Sequence, residues 1–206
     1  MSSHPVTSGD VIVGNVDDKY DTQNPIARRL VDGFLRSVSE LYRGSEARSV
    51  LEVGCGEGRL ADHLLRSAPR PQRFAACDLE DARASGIDPA IEFEVASIYD
   101  LPYADASFDL VICCEVLEHL EDPAAGLAEL ARVSARAVLL STPWEPIWRL
   151  LNLARGRYLR DLGNTPGHLQ HFTRRQLIAL ATTHLEIRAI RRPLPWTVIL
   201  GAPRSP

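Results

Sequence analysis

The stretch Leu51-Glu-Val-Gly-Cys-Gly-Glu-Gly58 decides how this chain folds. An apolar run, Ser49-Val-Leu-Glu-Val53, reads as a buried strand and ends in three glycines spaced by two. Glycines there let the backbone turn sharply into a helix and approach a ligand without Cβ clashes. Helical spacing follows, with Leu60, His63 and Leu64 between Arg59 and Ser67. Strand, glycine turn and helix in this order open a nucleotide-binding α/β unit.

Outward from this unit the alternation continues. Phe74–Cys77 reads as a second strand closed by Asp78, Ile91–Val95 as a third, Phe108–Cys114 as a fourth and Ala137–Leu140 as a fifth. Helical spacing runs from Pro123 to Val133 and from Arg174 to Thr182, and a helix is expected near 145–155. Leu185–Ile190 and Trp196–Leu200 are separated only by Arg191–Pro195, too short for a parallel crossover, so this last pair should be antiparallel. The expected fold is an α/β, Rossmann-like three-layer sandwich with a mostly parallel seven-stranded sheet and an antiparallel last strand. Upstream, Asn24 and Pro25 cap a helix carrying Ile26, Leu30, Phe34, Val38 and Leu41 on one face. The organisation expected is an N-terminal arm and lid helix over 1–45, with residues 1–22 an aperiodic arm. The Rossmann-like domain then covers 46–206, with an insertion at 143–172.

Composition narrows the function. At 206 residues, 45% hydrophobic and 24% charged, the chain has the balance of a water-soluble domain, and no apolar run reaches the length of a membrane helix. The first residues show no secretory signal, so a cytoplasmic location is expected. The net charge of −4 opposes nucleic-acid binding. Eight arginines between 155 and 192 read either as a patch for an anionic substrate or membrane surface, or as a solvated face. The cysteines at 55, 77, 113 and 114 show no metal or disulfide spacing and read as reduced and buried. A nicotinamide dehydrogenase would carry Gly-x-Gly-x-x-Gly, whereas this chain has Gly-x-Gly-x-Gly after Glu52. Its sole lysine, Lys19, cannot complete a Tyr-x-x-x-Lys motif. Asp78, twenty residues beyond Gly58, suits both hydroxyls of a ribose.

Together Leu51–Gly58, Asp78, Asp100-Leu-Pro-Tyr103, Ser107-Phe-Asp-Leu-Val111 and Glu115-Val-Leu-Glu-His-Leu120 resemble the class I S-adenosylmethionine-dependent methyltransferases over about residues 48–142. The resemblance implies S-adenosylmethionine as cofactor. Glu52, Gly54, Cys55 and Gly56 would hold its methionine portion and Asp78 its ribose. Leu79, Ser97 and Ile98 would line the adenine, and Glu115 would stand beside the cofactor. Catalysis would fall to His119, Glu118 and His168.

Glu115, Glu118 and His119 stand at i, i+3 and i+4, which one helical turn would bring to one face. This segment resembles the metal-dependent ubiquinone-pathway O-methyltransferases and the small-RNA 2′-O-methyltransferases, implying magnesium or manganese on Glu115, Glu118, His119 and His171. Metal ligand, metal-free base and structural histidine all stay open for His119. The expected acceptor is a small molecule or a glycan or lipid intermediate. Trp144, Trp148 and Tyr158 read either as its pocket or as core aromatics. Alternatives are a non-catalytic cofactor-binding partner and an RNA 2′-O-methyltransferase; nothing in the sequence specifies an oligomeric state.

Overall fold

The computed structural model describes residues 6–8, 11–13, 22–154, 162–165 and 167–204. A short antiparallel pair, β1 (Val6–Ser8) and β2 (Val11–Val13), comes first, with Val6 opposite Val13. The aperiodic arm expected over 1–22 is thus corrected in part. Val6, Val11, Ile12 and Val13 are β-branched, the residue class that favours extended backbone, even though the run is too short to show a period.

Helix α1 (Pro25–Ser45) begins where expected, since Asn24 Oδ1 accepts from the N–H groups of Ile26 and Ala27. The alternating core follows: β3 (Ser49–Val53), α2 (Arg59–Ser67), β4 (Arg73–Asp78), β5 (Ile91–Val95), β6 (Phe108–Cys114), α3 (Pro123–Val133) and β7 (Ser134–Pro143). The chain closes with α4 (Glu145–Ala154), α5 (Arg174–His184), β8 (Leu185–Arg191) and β9 (Trp196–Pro203). Seven strands form one sheet in the order β5-β4-β3-β6-β7-β9-β8. All pairs are parallel except those of β9, which runs antiparallel to both β7 and β8. The short 192–195 connection forces that reversal. Strand order turns back between β3 and β6, and their carboxyl ends form the crevice where such sheets bind ligands.

Successive strand residues point to opposite faces. Val50, Leu110, Ile112 and Leu139 are buried against Phe34, Val38 and Leu41 of α1 and Leu60 and Leu64 of α2. Leu51, Val53, Val111, Val138 and Leu140 are buried on the other face with Leu127 and Leu130 of α3 and Leu177 of α5. The result is helix, sheet and helix in three layers. Arg132 of α3 ties down the loop after β5: its guanidinium donates to Glu129, Asp105 and the carbonyls of Leu101 and Tyr103. Among the described residues no helix is long and apolar enough to cross a membrane.

Phe34 is fully buried against the Trp196 ring, 5.0 Å away, and joins α1 to β9. Phe34→Ala should cost about 3–5 kcal/mol of unfolding free energy. Ile26→Ala, at a side chain 71% exposed on the same helix, should stay within about 0.5 kcal/mol. Urea denaturation of the two variants checks the pair.

Candidate cofactor and catalytic site

The glycine turn is built from left-handed backbone. Gly54, Gly56 and Gly58 have φ of +76°, +52° and +77°. The turn is closed by main-chain bonds, with Gly54 N and Cys55 N donating to the Cys77 carbonyl at 2.8 and 3.1 Å. Gly56 N donates to Asp78 Oδ2 at 2.6 Å, and Leu79 N to Asp78 Oδ1 at 2.7 Å. Burial raises the Asp78 carboxyl above the usual aspartate range, and these two N–H groups counter the rise. Glu52 is buried at the end of β3, and with Asp78 it adds to the burial that pushes the Cys55 thiol up. Two carboxylates therefore bracket one tight main-chain cradle.

Leu79 follows β4 and is 41% exposed, an open apolar surface beside Asp78. Ala96 N donates to the Asp78 carbonyl, which brings the Ser97 turn alongside. Ser97 Oγ accepts from Tyr99 N at 3.2 Å, and Ile98 is buried in the layer that contains α3.

Beyond β6 the chain does not form the helical turn that the Glu-x-x-Glu-His spacing suggests. Only Leu117–His119 are helical, as a single 3₁₀ turn. Glu115 stands in left-handed backbone at φ +62°. Its Oε1 accepts from Ser141 Oγ at 2.9 Å and its Oε2 from Trp196 Nε1 at 2.6 Å, so both oxygens face β7 and β9. His171 Nε2 is 2.8 Å from Asn164 Oδ1. The structure does not bring Glu115 and His171 together with Glu118 and His119.

It brings a different set together. Ligand-type atoms of Glu118, His119 and His168 all lie within 4.8 Å of one another. His119 is half-buried, and its Nδ1 donates to the Gly167 carbonyl at 2.9 Å. A carbonyl only accepts, so the proton sits on Nδ1 and the basic lone pair on Nε2. The rings of His119 and His168 meet edge to face at 4.9 Å. Leu169 N and Gln170 N both donate to the Glu118 carbonyl at 2.9 Å, docking the insertion on the turn by main chain.

Four participants in this arrangement escape a reading of the sequence. Glu145 pairs with His168 Nδ1 at 3.1 Å, yet in the sequence it is an ordinary first-turn acid of α4. Ser141 and Trp196 hold Glu115, and the Gly167 carbonyl holds His119. Thr142-Pro-Trp-Glu145 is the one local signal, since a proline-flanked acid marks a helix start beside the site. Trp148 packs on Trp196 with centroids 5.7 Å apart, and its Nε1 donates to Thr165. Trp144 carries the Arg174 guanidinium 3.7 Å over its ring. These two aromatics are thus committed to structure; Tyr158 lies outside the described residues. The cysteines are free, and burial pushes the Cys77 thiol up to about 12, which leaves it inert at neutral pH. Arg175, Arg188, Arg191 and Arg192 are exposed, while Arg155, Arg157 and Arg160 lie outside the described residues.

A Cβ added at Gly54 would lie 2.2 Å from Val116 Cγ2. Gly54→Ala should therefore lower stability by at least ~2 kcal/mol, from the left-handed φ and the clash together. A loss below half that value in urea denaturation would show that the Val116 turn yields.

Residues 51–140 match the family model described as a methyltransferase domain. Over 139 residues the chain is 32% identical to demethylmenaquinone methyltransferase of Deinococcus radiodurans, covering 63% of this chain and 58% of that protein. It is 29% identical over 118 residues to norajmaline N-methyltransferase of Rauvolfia serpentina, covering 53% of this chain and 40% of that one. The chain therefore spans about half the length of these relatives. In fold it is similar to magnesium protoporphyrin IX methyltransferase of Synechocystis, solved with bound SAH, with a TM-score of 0.63 at 17% identity over 89% of each chain. The cradle between Glu52 and Asp78 thus lies in the matched region, and over that region the chain is similar to S-adenosylmethionine-dependent methyltransferases.

Proposed function

We propose that the chain methylates an oxygen of a small, largely apolar acceptor, with His119 as the base and without a metal ion. The observation that carries this reading is the half-buried His119, fixed by Gly167 as an Nε2 base on the turn that abuts Gly54. Gly54 and Gly56 would receive the methionine portion of the cofactor, with Glu52 and Cys55 beside them. Asp78 would take the ribose hydroxyls on the lone pairs its two N–H donors leave. Leu79 would cover one side of the adenine, and the main chain of Ser97 and Ile98 the other. The bound sulfonium supplies an already activated methyl group, so the protein's work is alignment, exclusion of water and removal of one proton. His119 Nε2 accepts that proton from the acceptor hydroxyl, and the buried Glu118 carboxylate beside it favours the imidazolium so formed.

The magnesium or manganese site implied by Glu115, Glu118, His119 and His171 does not fit the residues present. Hard cations of this kind want several oxygens around them. Here Glu115 is held by Ser141 and Trp196 and His171 by Asn164, and the cluster that does form offers one carboxylate with two imidazoles. The apolar nature of the acceptor is supported by a groove between α1 and the turn before β9, lined by Pro25, Ile26, Leu30, Pro193 and Leu194 with Arg29 at its side. Leu162 and Leu169, 68% and 50% exposed, add apolar surface on the insertion.

Calorimetry with S-adenosylhomocysteine should show 1:1 binding that Asp78→Ala weakens at least ~10-fold, because a charged acceptor of two hydroxyls is lost. Only the ionised carboxylate accepts both hydroxyls, and burial raises its pKa. Affinity should therefore fall on acidification at a higher pH than an exposed aspartate would set. Unchanged affinity in the variant would remove Asp78 from the cofactor site.

A screen of phenolic and lipid-like acceptors with labelled methyl donor tests the chemistry. Turnover should be the same with and without chelator, and His119→Ala should lower kcat about 10²-fold or more. Abolition by chelator, restored by manganese, would overturn the metal-free reading.

A further inference from the structure

We infer that Glu145 is a positioning residue that, through His168 and the Gly167 carbonyl, sets which nitrogen of His119 is basic. This rests on the reading of His119 as the base. Glu145 opens α4 at the end of β7, and its side chain and that of His168 are 6% and 5% exposed. Its Oε1 accepts from His168 Nδ1, and its Oε2 has no hydrogen-bond partner among the described residues. A buried carboxylate held by one imidazole is costly, so that contact governs where the carboxylate and ring can sit.

The main chain extends the link in both directions. Glu145 N donates to the Phe172 carbonyl, joining the start of the insertion to its end. His168 N donates to the Thr165 carbonyl, closing a turn in which Gly167 has φ +88°. Only glycine takes that backbone freely, and it aims the 167 carbonyl at His119 Nδ1. Carboxylate, imidazole, peptide and imidazole therefore form one series. Leu169 and Gln170 anchor the residues beyond it to Glu118, while the 167–168 peptide is tied by side chains to His119 through the Gly167 carbonyl and to Glu145 through His168. Loss of the Gly167 acceptor removes the bond that places the proton on Nδ1, so Nε2 becomes protonated in part of the molecules and is there useless as a base.

The test is long-range ¹H–¹⁵N NMR of the imidazoles in the full chain, saturated with S-adenosylhomocysteine and with His119 assigned by its His119→Gln variant. Wild type should show His119 protonated at Nδ1 alone. Glu145→Ala should shift His119 to a mixture of tautomers, while calorimetric affinity for S-adenosylhomocysteine stays within about twofold. Glu145→Gln keeps an oxygen acceptor for His168 Nδ1 and should retain the wild-type pattern. His168→Leu breaks the same link from its other side, so it decides the matter should Glu145→Ala not fold. An Nε2-protonated His119 in wild type overturns the inference, as does an unchanged His119 pattern in the folded Ala or Leu variant. The tautomer is read without an acceptor, so absence of methyl transfer in the screen counts against the functional reading alone.

Discussion

Gly54 and Val116 stand so close that the position can hold nothing larger than hydrogen, and much of the site follows from that contact. It presses the glycine turn at the end of β3 against the turn at the end of β6, two strands paired side by side in the sheet. The main-chain cradle between Glu52 and Asp78 belongs to the first turn and His119 to the second. Their separation is therefore set by packing at the switch point of the sheet and not by any flexible loop. Three left-handed glycines make the approach possible, and the bonds from Gly54 N and Cys55 N to the Cys77 carbonyl and from Gly56 N to Asp78 keep the turn from relaxing away.

Glu115 shows how the second turn is held. A non-glycine residue in left-handed backbone costs on the order of 1–2 kcal/mol. Hydrogen bonds to a carboxylate from Ser141 and Trp196 offset that cost. Trp196 in turn lies against Phe34 and Trp148, so α1, α4 and β9 all bear on the backbone that precedes His119. The acid is thus part of the scaffold for the turn that carries His119. A variant that loses it should be judged first by its fold and only then by its activity.

The strands and helices were legible because each carries its own period and caps. Asn24-Pro25, Asp122-Pro123 and the Thr173–Gln176 capping box are local signals that the backbone obeys. The glycine turn and Asp78 were legible for the same reason, since both follow strands at a fixed spacing. The roles of Glu115 and Glu145 were not. A spacing of i, i+3 and i+4 places side chains on one face only if the segment is helical, and here three residues of 3₁₀ turn and one left-handed residue intervene. What decides the Glu115 conformation is Trp196, 81 residues away. What gives Glu145 its partner is a histidine 23 residues on, across an insertion without periodicity. Contacts that distant leave no mark in local sequence.

The insertion is attached in a way that separates geometry from specificity. Its docking onto the turn that carries His119 runs mainly through peptide groups: Leu169 N and Gln170 N on the Glu118 carbonyl, and the Gly167 carbonyl on His119. Main-chain bonds of this kind depend on backbone path and survive exchange of most side chains along it. The Leu162 and Leu169 side chains are left exposed and take no part in the docking. Substitutions at these leucines can therefore alter what the surface accepts without moving the imidazole. The links from Glu145 to His168 and from Gln170 Nε2 to the Leu120 carbonyl are exceptions, because there side chains fix the path itself. On the proposed reading a change at Leu169 acts on acceptor affinity, whereas a change at Glu145 acts on the state of His119. The two belong to one insertion and one site, yet they act on different quantities.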